Sequence, residues 1–188
     1  MQKTIKTKLN KKENDFDHPG SGRLRFANNE HPPIKRQKIG VLIGNLGTPD
    51  ATDYWSMRRY LSEFLSDRRV IDYSPWIWQP ILQLIILSKR PFSSGEAYKG
   101  IWNKEKNESP LLTILRNQTN KIKENFKKIY NEEVIVDFCM RYGNPSTKKV
   151  LNDLKNKGCE RILFFPLYPQ YAAATTATAN DQVFRVLM

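Results

Sequence analysis

Three short stretches of this chain concentrate the side chains able to meet a ligand. NLGTPD (45–50) follows an apolar run; Gly47 lets the backbone turn tightly there, and Thr48, Pro49 and Asp50 launch a helix. MRYG (140–143) places Arg141 and Tyr142 directly after a second apolar run. A guanidinium in that position can clamp a carboxylate, and a phenol can stack or hydrogen-bond. The competing reading pairs Arg141 with an acid on a nearby helix. PLYPQYAAATTATAND (166–181) stiffens a strand exit with Pro166 and Pro169 and offers the flat faces of Tyr168 and Tyr171. It then turns to tiny side chains from Ala172 to Thr176. Such a run admits a broad planar ligand close to the backbone, and a tightly packed helix start explains it equally well. No GxGxxG and no GxxxxGK[ST] is present, which removes the common dinucleotide and P-loop fingerprints.

Two other residue types narrow the chemistry. His18 and His31 are the only histidines, so no imidazole follows residue 38 to serve as proton acceptor or metal ligand. Cys139 and Cys159 fit no metal-ligand spacing and read as buried thiols of a reducing compartment.

The elements that must position these stretches follow from periodicity. KIGVLIGNLG (38–47) has the continuous apolar character of a parallel strand buried on both faces. Thr52 or Asp53 is placed to cap a helix over YWSMRRYLSEFL. PWIWQPILQLIILS reads as one helix, or two broken at Pro80, and SSGEAYKGIW as another short helix. Ser109 caps and Pro110 opens a long helix through Tyr130. The pattern predicts a strand over 132–140, a helix over 145–157 stopped by Gly158, a strand over 161–166 and a last helix from near Thr175. Strands alternating with helices predict an α/β fold, a doubly wound parallel sheet with helices on both faces. Ligands of such sheets bind beyond the carboxyl ends of the strands, where the three stretches should converge.

Charge is uneven. The chain of 188 residues carries a net charge of +12, and residues 1–38 hold ten Lys and Arg against four Asp and Glu. That segment lacks hydrophobic periodicity and is expected to be a disordered basic extension. Its charge suits nucleic acid, a membrane surface or an anionic ligand, and equally a plain solvated tail. Its start has no apolar h-region, so no secretory signal is expected. The most apolar stretch, from Ile77, is too short to span a bilayer and is interrupted by Gln79, Pro80 and Gln83, so a soluble or peripheral protein is expected.

NLGTPD, RRYLSEFLSDRRV, RP followed by AYKGIW, SPLLTILRNQ, MRYGNPS and PLYPQYAAATTATAND occur in the order and at the approximate spacing of ferrochelatases. From about Ile39 onward the chain resembles that family. The resemblance implies a chelatase-like fold of two similar Rossmann-like halves, with residues 39–188 as the N-terminal half. It implies an enzyme inserting ferrous iron into protoporphyrin IX to form heme, with porphyrin and Fe²⁺ as substrates and no resident cofactor. By the same likeness the porphyrin-contacting positions are Leu46, Leu65, Arg90, Tyr98, Ser109, Arg141, Tyr142, Tyr171 and Ala174, with Arg90 and Ser109 holding propionates. The 75–88 segment looks like the family's lip over the cleft, with peripheral membrane contact, although a core-facing helix is the alternative. A cytoplasmic location and no nucleic-acid partner are implied.

Two departures matter. Some relatives carry an iron–sulfur ligand cysteine in the loop that here reads Tyr171-Ala172-Ala173-Ala174, so no cluster ligand is expected from it. The family's catalytic histidine and its acidic partners belong to the second half. The expectation is that this chain holds no catalytic residue and no metal ligand, and alone is an inactive fragment. The alternative is a truncated protein that binds porphyrin or a partner without catalysis.

Overall fold

The computed structural model of the chain describes residues 37–130 and 134–188, so the extension expected over 1–38 lies outside them except at its last two positions. Lys38 already opens strand β1 (Lys38–Thr48), which pairs in parallel with β2 (Val134–Gly143) on one side and β3 (Cys159–Pro166) on the other. Successive side chains of β1 point to opposite faces. Leu42 joins Cys139, Val150, Leu151, Leu154 and Val183 under α5 (Thr147–Asn156) and α6 (Thr178–Leu187). Val41 and Ile43 join Val136, Met140 and Leu115 under α4 (Pro110–Tyr130). The parallel sheet with helices on both faces is the expected α/β arrangement, and burial on both sides is why β1 reads as one apolar run.

Local rules account for the helix starts. Asp53 Oδ1 accepts from the backbone N–H groups of Trp55 (2.9 Å) and Ser56 (3.0 Å) and so caps α1 (Tyr54–Leu65). Ser109 Oγ accepts from Leu112 N at 3.2 Å, and Pro110 occupies the first position of α4. Gly158, at φ 84°, ends the segment after α5.

Of the two readings of PWIWQPILQLIILS, one helix or two broken at Pro80, the chain follows neither cleanly. Pro80 ends α2 (Pro75–Pro80), but the chain continues through a π-helical segment, Ile81–Ile86, into α3 (Leu87–Ile101). The turns there are wider: Leu87 N–H reaches back five residues to Leu82 O. Pro91 then sits inside α3, so SSGEAYKGIW is not a separate helix. A proline there has no N–H to offer the carbonyl four residues earlier. That carbonyl, Leu87 O, accepts instead from Arg58 Nη1 (2.8 Å) and Tyr54 Oη (3.0 Å). Helix α1 thus repairs the helix packed beside it, with Tyr60, Leu61, Leu65, Leu82 and Leu87 sharing a core around Tyr142.

Strand β2 also differs from its predicted end at residue 140. It runs on to Gly143, so Arg141 and Tyr142 are strand residues instead of loop residues. The extension is possible because Gly47, at φ 122°, and Gly143, at φ 82°, sit where the two strands close together. A Cβ on Gly47 would lie 1.9 Å from Tyr142 O, and one on Gly143 would lie 2.6 Å from Thr48 O.

Among the described residues no helix is long and apolar enough to cross a membrane. Among the described residues, exposed apolar side chains gather on two stretches in particular. Trp76, Ile77, Leu84, Ile85 and Phe92 are exposed along the 75–92 helical run, and Leu163 and Phe165 are exposed on edge strand β3, on the face opposite Ile162 and Phe164.

Candidate functional site

The carboxyl ends of the three strands bring the sequence motifs to one end of the sheet. Thr48 pairs with Gly143, and Leu167 N donates to Gly44 O at 2.7 Å, which carries the third segment alongside β1. Leu46 packs with Leu65 and Tyr142 in one cluster. Tyr60 stands close to Tyr98, Tyr142 and Tyr168. Burial, then Tyr98, pushes the Tyr60 phenol well above the usual tyrosine range, and burial lifts Tyr142 likewise. Tyr168 is pushed up to about 12 by burial, and its hydroxyl is enclosed without a hydrogen-bond partner. Burial raises Cys139 to about 11. All four groups are therefore protonated at neutral pH.

The guanidinium of Arg141 is not presented freely to the rim, which corrects the expectation of an open carboxylate clamp. Its Nη2 donates to Asp67 Oδ2, and its Nε donates to Thr178 Oγ1 (2.7 Å) and Thr178 O (3.1 Å). Tyr142 Oη donates to the same Asp67 oxygen at 2.9 Å, and the Thr178 hydroxyl donates there as well. The other oxygen, Oδ1, accepts from Arg69 N at 2.8 Å. Side chains of Arg141 and Asp67 are 8% and 9% exposed, so this is a buried pair. On the same seam Arg69 donates to both oxygens of Asp181 in the first turn of α6. The alternative reading, pairing with an acid on a nearby helix, holds for the pairing, but the acid lies in the connection between α1 and α2 instead of on a helix.

An open cleft of ≈ 1090 Å³ lies between α1, the 66–72 connection and α6, with Arg58, Arg59, Arg68, Arg69, Arg141 and Arg185 among its walls. A smaller cavity of ≈ 220 Å³ lies between the ends of β1 and β2, against Thr48, Tyr60, Gly143 and Asn144. The Thr48 hydroxyl is buried there with no partner.

The positions singled out from the sequence fall into two groups. Arg90 and Tyr171 are exposed, and Leu46, Tyr98 and Ala174 are half-buried. Leu65, Ser109, Arg141 and Tyr142 are buried, and Ser109 Oγ is occupied by its helix cap. Sequence reasoning passed over Asp67, Thr178 and Tyr60. Asp67 had a signal: in SDRRV it is the one acid beside two arginines, in a connection between helices.

Burial alone would raise the Asp67 pKa. The Thr178 hydroxyl, the Arg69 N–H, the Tyr142 hydroxyl and the Arg141 charge together hold it below the usual carboxylate range. A depressed folded-state pKa contributes stability above the unfolded value and loses it as pH falls through the folded value. Acid titration of the unfolding midpoint should therefore show wild type losing stability below about pH 4, and Asp67→Asn losing less over that range. Parallel curves for the two proteins would show that Asp67 does not carry this dependence.

The sequence model of the ferrochelatase family matches residues 38–188. A ferrochelatase of Rhodobacter capsulatus is 66% identical over 166 residues, covering 88% of this chain and 47% of the relative. One from Rhizobium etli is 60% identical over 159 residues, covering 85% and 46% respectively. The chain spans about half the length of the curated relatives it matches. With the match running unbroken from the first residue of β1 through α6, across every loop at the strand ends, the chain belongs to the ferrochelatase family.

Proposed function

We propose that residues 39–188 form the N-terminal half of a ferrochelatase, which inserts Fe²⁺ into protoporphyrin IX and releases two pyrrole protons. The observation carrying this reading is the family match over 38–188, which includes all three segments at the strand ends. Leu46, Tyr98, Tyr171 and Ala174 supply accessible apolar or aromatic surface for a flat macrocycle, and Arg90 an exposed guanidinium for a propionate. Leu65, Ser109, Arg141 and Tyr142 form the layer beneath. Holding the ring away from planarity exposes its nitrogen lone pairs to the metal, a use of binding energy for substrate strain. The proton acceptors come from the other half, and no iron–sulfur ligand is assigned to the 171–174 loop.

A Soret titration of the chain with protoporphyrin IX tests the reading: saturable binding is expected, and a band unmoved by added protein would overturn it. Arg90→Ala should weaken the diacid by about 1.5–3 kcal/mol, the range for hydrogen bonds to charged groups, and leave the dimethyl ester unaffected. The apolar run Trp76, Ile77, Leu84, Ile85 and Phe92 supports peripheral membrane contact of a cytoplasmic protein. Failure of the chain to sediment with phospholipid vesicles would remove that part.

A further inference from the structure

Asp67 lies between α1 and α2, away from the three motifs, yet two distant segments, the end of β2 and the start of α6, meet on its carboxylate. Arg69 N–H, Tyr142 Oη, Thr178 Oγ1 and Arg141 Nη2 all donate to it. Three of these donors share Oδ2 and one reaches Oδ1, so the carboxylate is held chiefly through Oδ2. One donor, Thr178, is the first residue of α6, and the π-helical turn Ala173–Ala177 leads directly into it. Its position therefore sets where the small residues at 172–174 stand. The Arg141 guanidinium also lies 4.3 Å from the centre of the Tyr142 ring.

We propose that Asp67 is a positioning residue for the porphyrin site. It fills Arg141 with an internal carboxylate, so Arg141 acts as a strut holding Tyr142 and the 171–177 segment, and propionates are bound elsewhere. This role rests on the porphyrin reading above. A clamp and a strut differ in what they discriminate. A clamp senses whether the ligand carries free carboxylates; a strut changes the seat of the whole macrocycle.

The test titrates protoporphyrin IX and its dimethyl ester into wild type, Asp67→Asn, Arg141→Met and the double variant of the 188-residue chain, with thermal midpoints measured alongside. Each single variant leaves a buried partner uncompensated, so the double variant should melt above at least one of them. Arg141→Met should weaken acid and ester by the same factor. In folded Asp67→Asn the Soret maximum of bound porphyrin should move. Loss of about tenfold for the acid alone in Arg141→Met would make Arg141 a clamp and overturn the proposal. An unmoved Soret band in folded Asp67→Asn would leave Asp67 merely structural and overturn it too, as would additive midpoints. If wild type binds neither porphyrin, the porphyrin reading falls and takes this role with it; binding by wild type with additive variants removes the role alone.

Discussion

Purified on its own, the 188-residue chain is expected to insert neither ferrous iron nor zinc into protoporphyrin IX. Metal insertion needs an acceptor for two pyrrole protons, with a pKa near the working pH. The groups gathered at the strand ends have the wrong values. Burial keeps Tyr60 and Tyr142 protonated, Tyr168 is raised to about 12 and Cys139 to about 11. Asp67 is shifted the other way, with three donors on its Oδ2. Glu63 is tied to Gly143 N at 2.9 Å, and no histidine follows residue 38. Zinc insertion followed by porphyrin fluorescence checks this against a protein-free control. Turnover above that control would mean that one of these groups serves as the base.

Gly47→Ala is expected to be the most destabilising small substitution in the described chain, by about 3–5 kcal/mol. Two penalties combine: a φ of 122° that L side chains rarely adopt, and a Cβ placed 1.9 Å from Tyr142 O. The obstacle is backbone of the neighbouring strand, so relief requires separating β1 from β2 where Arg141 and Tyr142 are set. Gly100→Ala is the matched control. Nothing lies within 4 Å of its Cβ, and near the end of α3 it should stabilise by about 0.5–1 kcal/mol. Urea midpoints of the two variants should move in opposite directions. A wild-type midpoint for Gly47→Ala would mean the strand ends are not held this closely.

Much of the architecture was written in short-range chemistry. The apolar run of β1, the Asp53 and Ser109 caps, Pro110 at a helix start and Gly158 at a helix stop each act within a few residues, so local reading locates them. Alternation of strand and helix then implies a parallel sheet and brings 45–50, 140–143 and 166–181 to one end. The run Ala172 to Thr176 read equally as a close-approach segment or a helix start, and the chain there forms a π-helical turn leading into α6. The misplaced features depend on partners far away in the chain. Pro91 remains inside a helix because Arg58 and Tyr54, more than one element earlier, take the carbonyl it leaves free. The end of β2 depends on two glycines from different strands meeting at one place. Arg141 stayed open between a ligand clamp and an internal ion pair because Asp67 stands 74 positions away in sequence and Thr178 stands 37. Residue types and spacing determined which elements form and which motifs share a rim, since those depend on neighbours along the chain. Whether a charge at that rim is open to a ligand or already neutralised was decided only by packing, because burial and hydrogen-bond partners exist only once the elements meet.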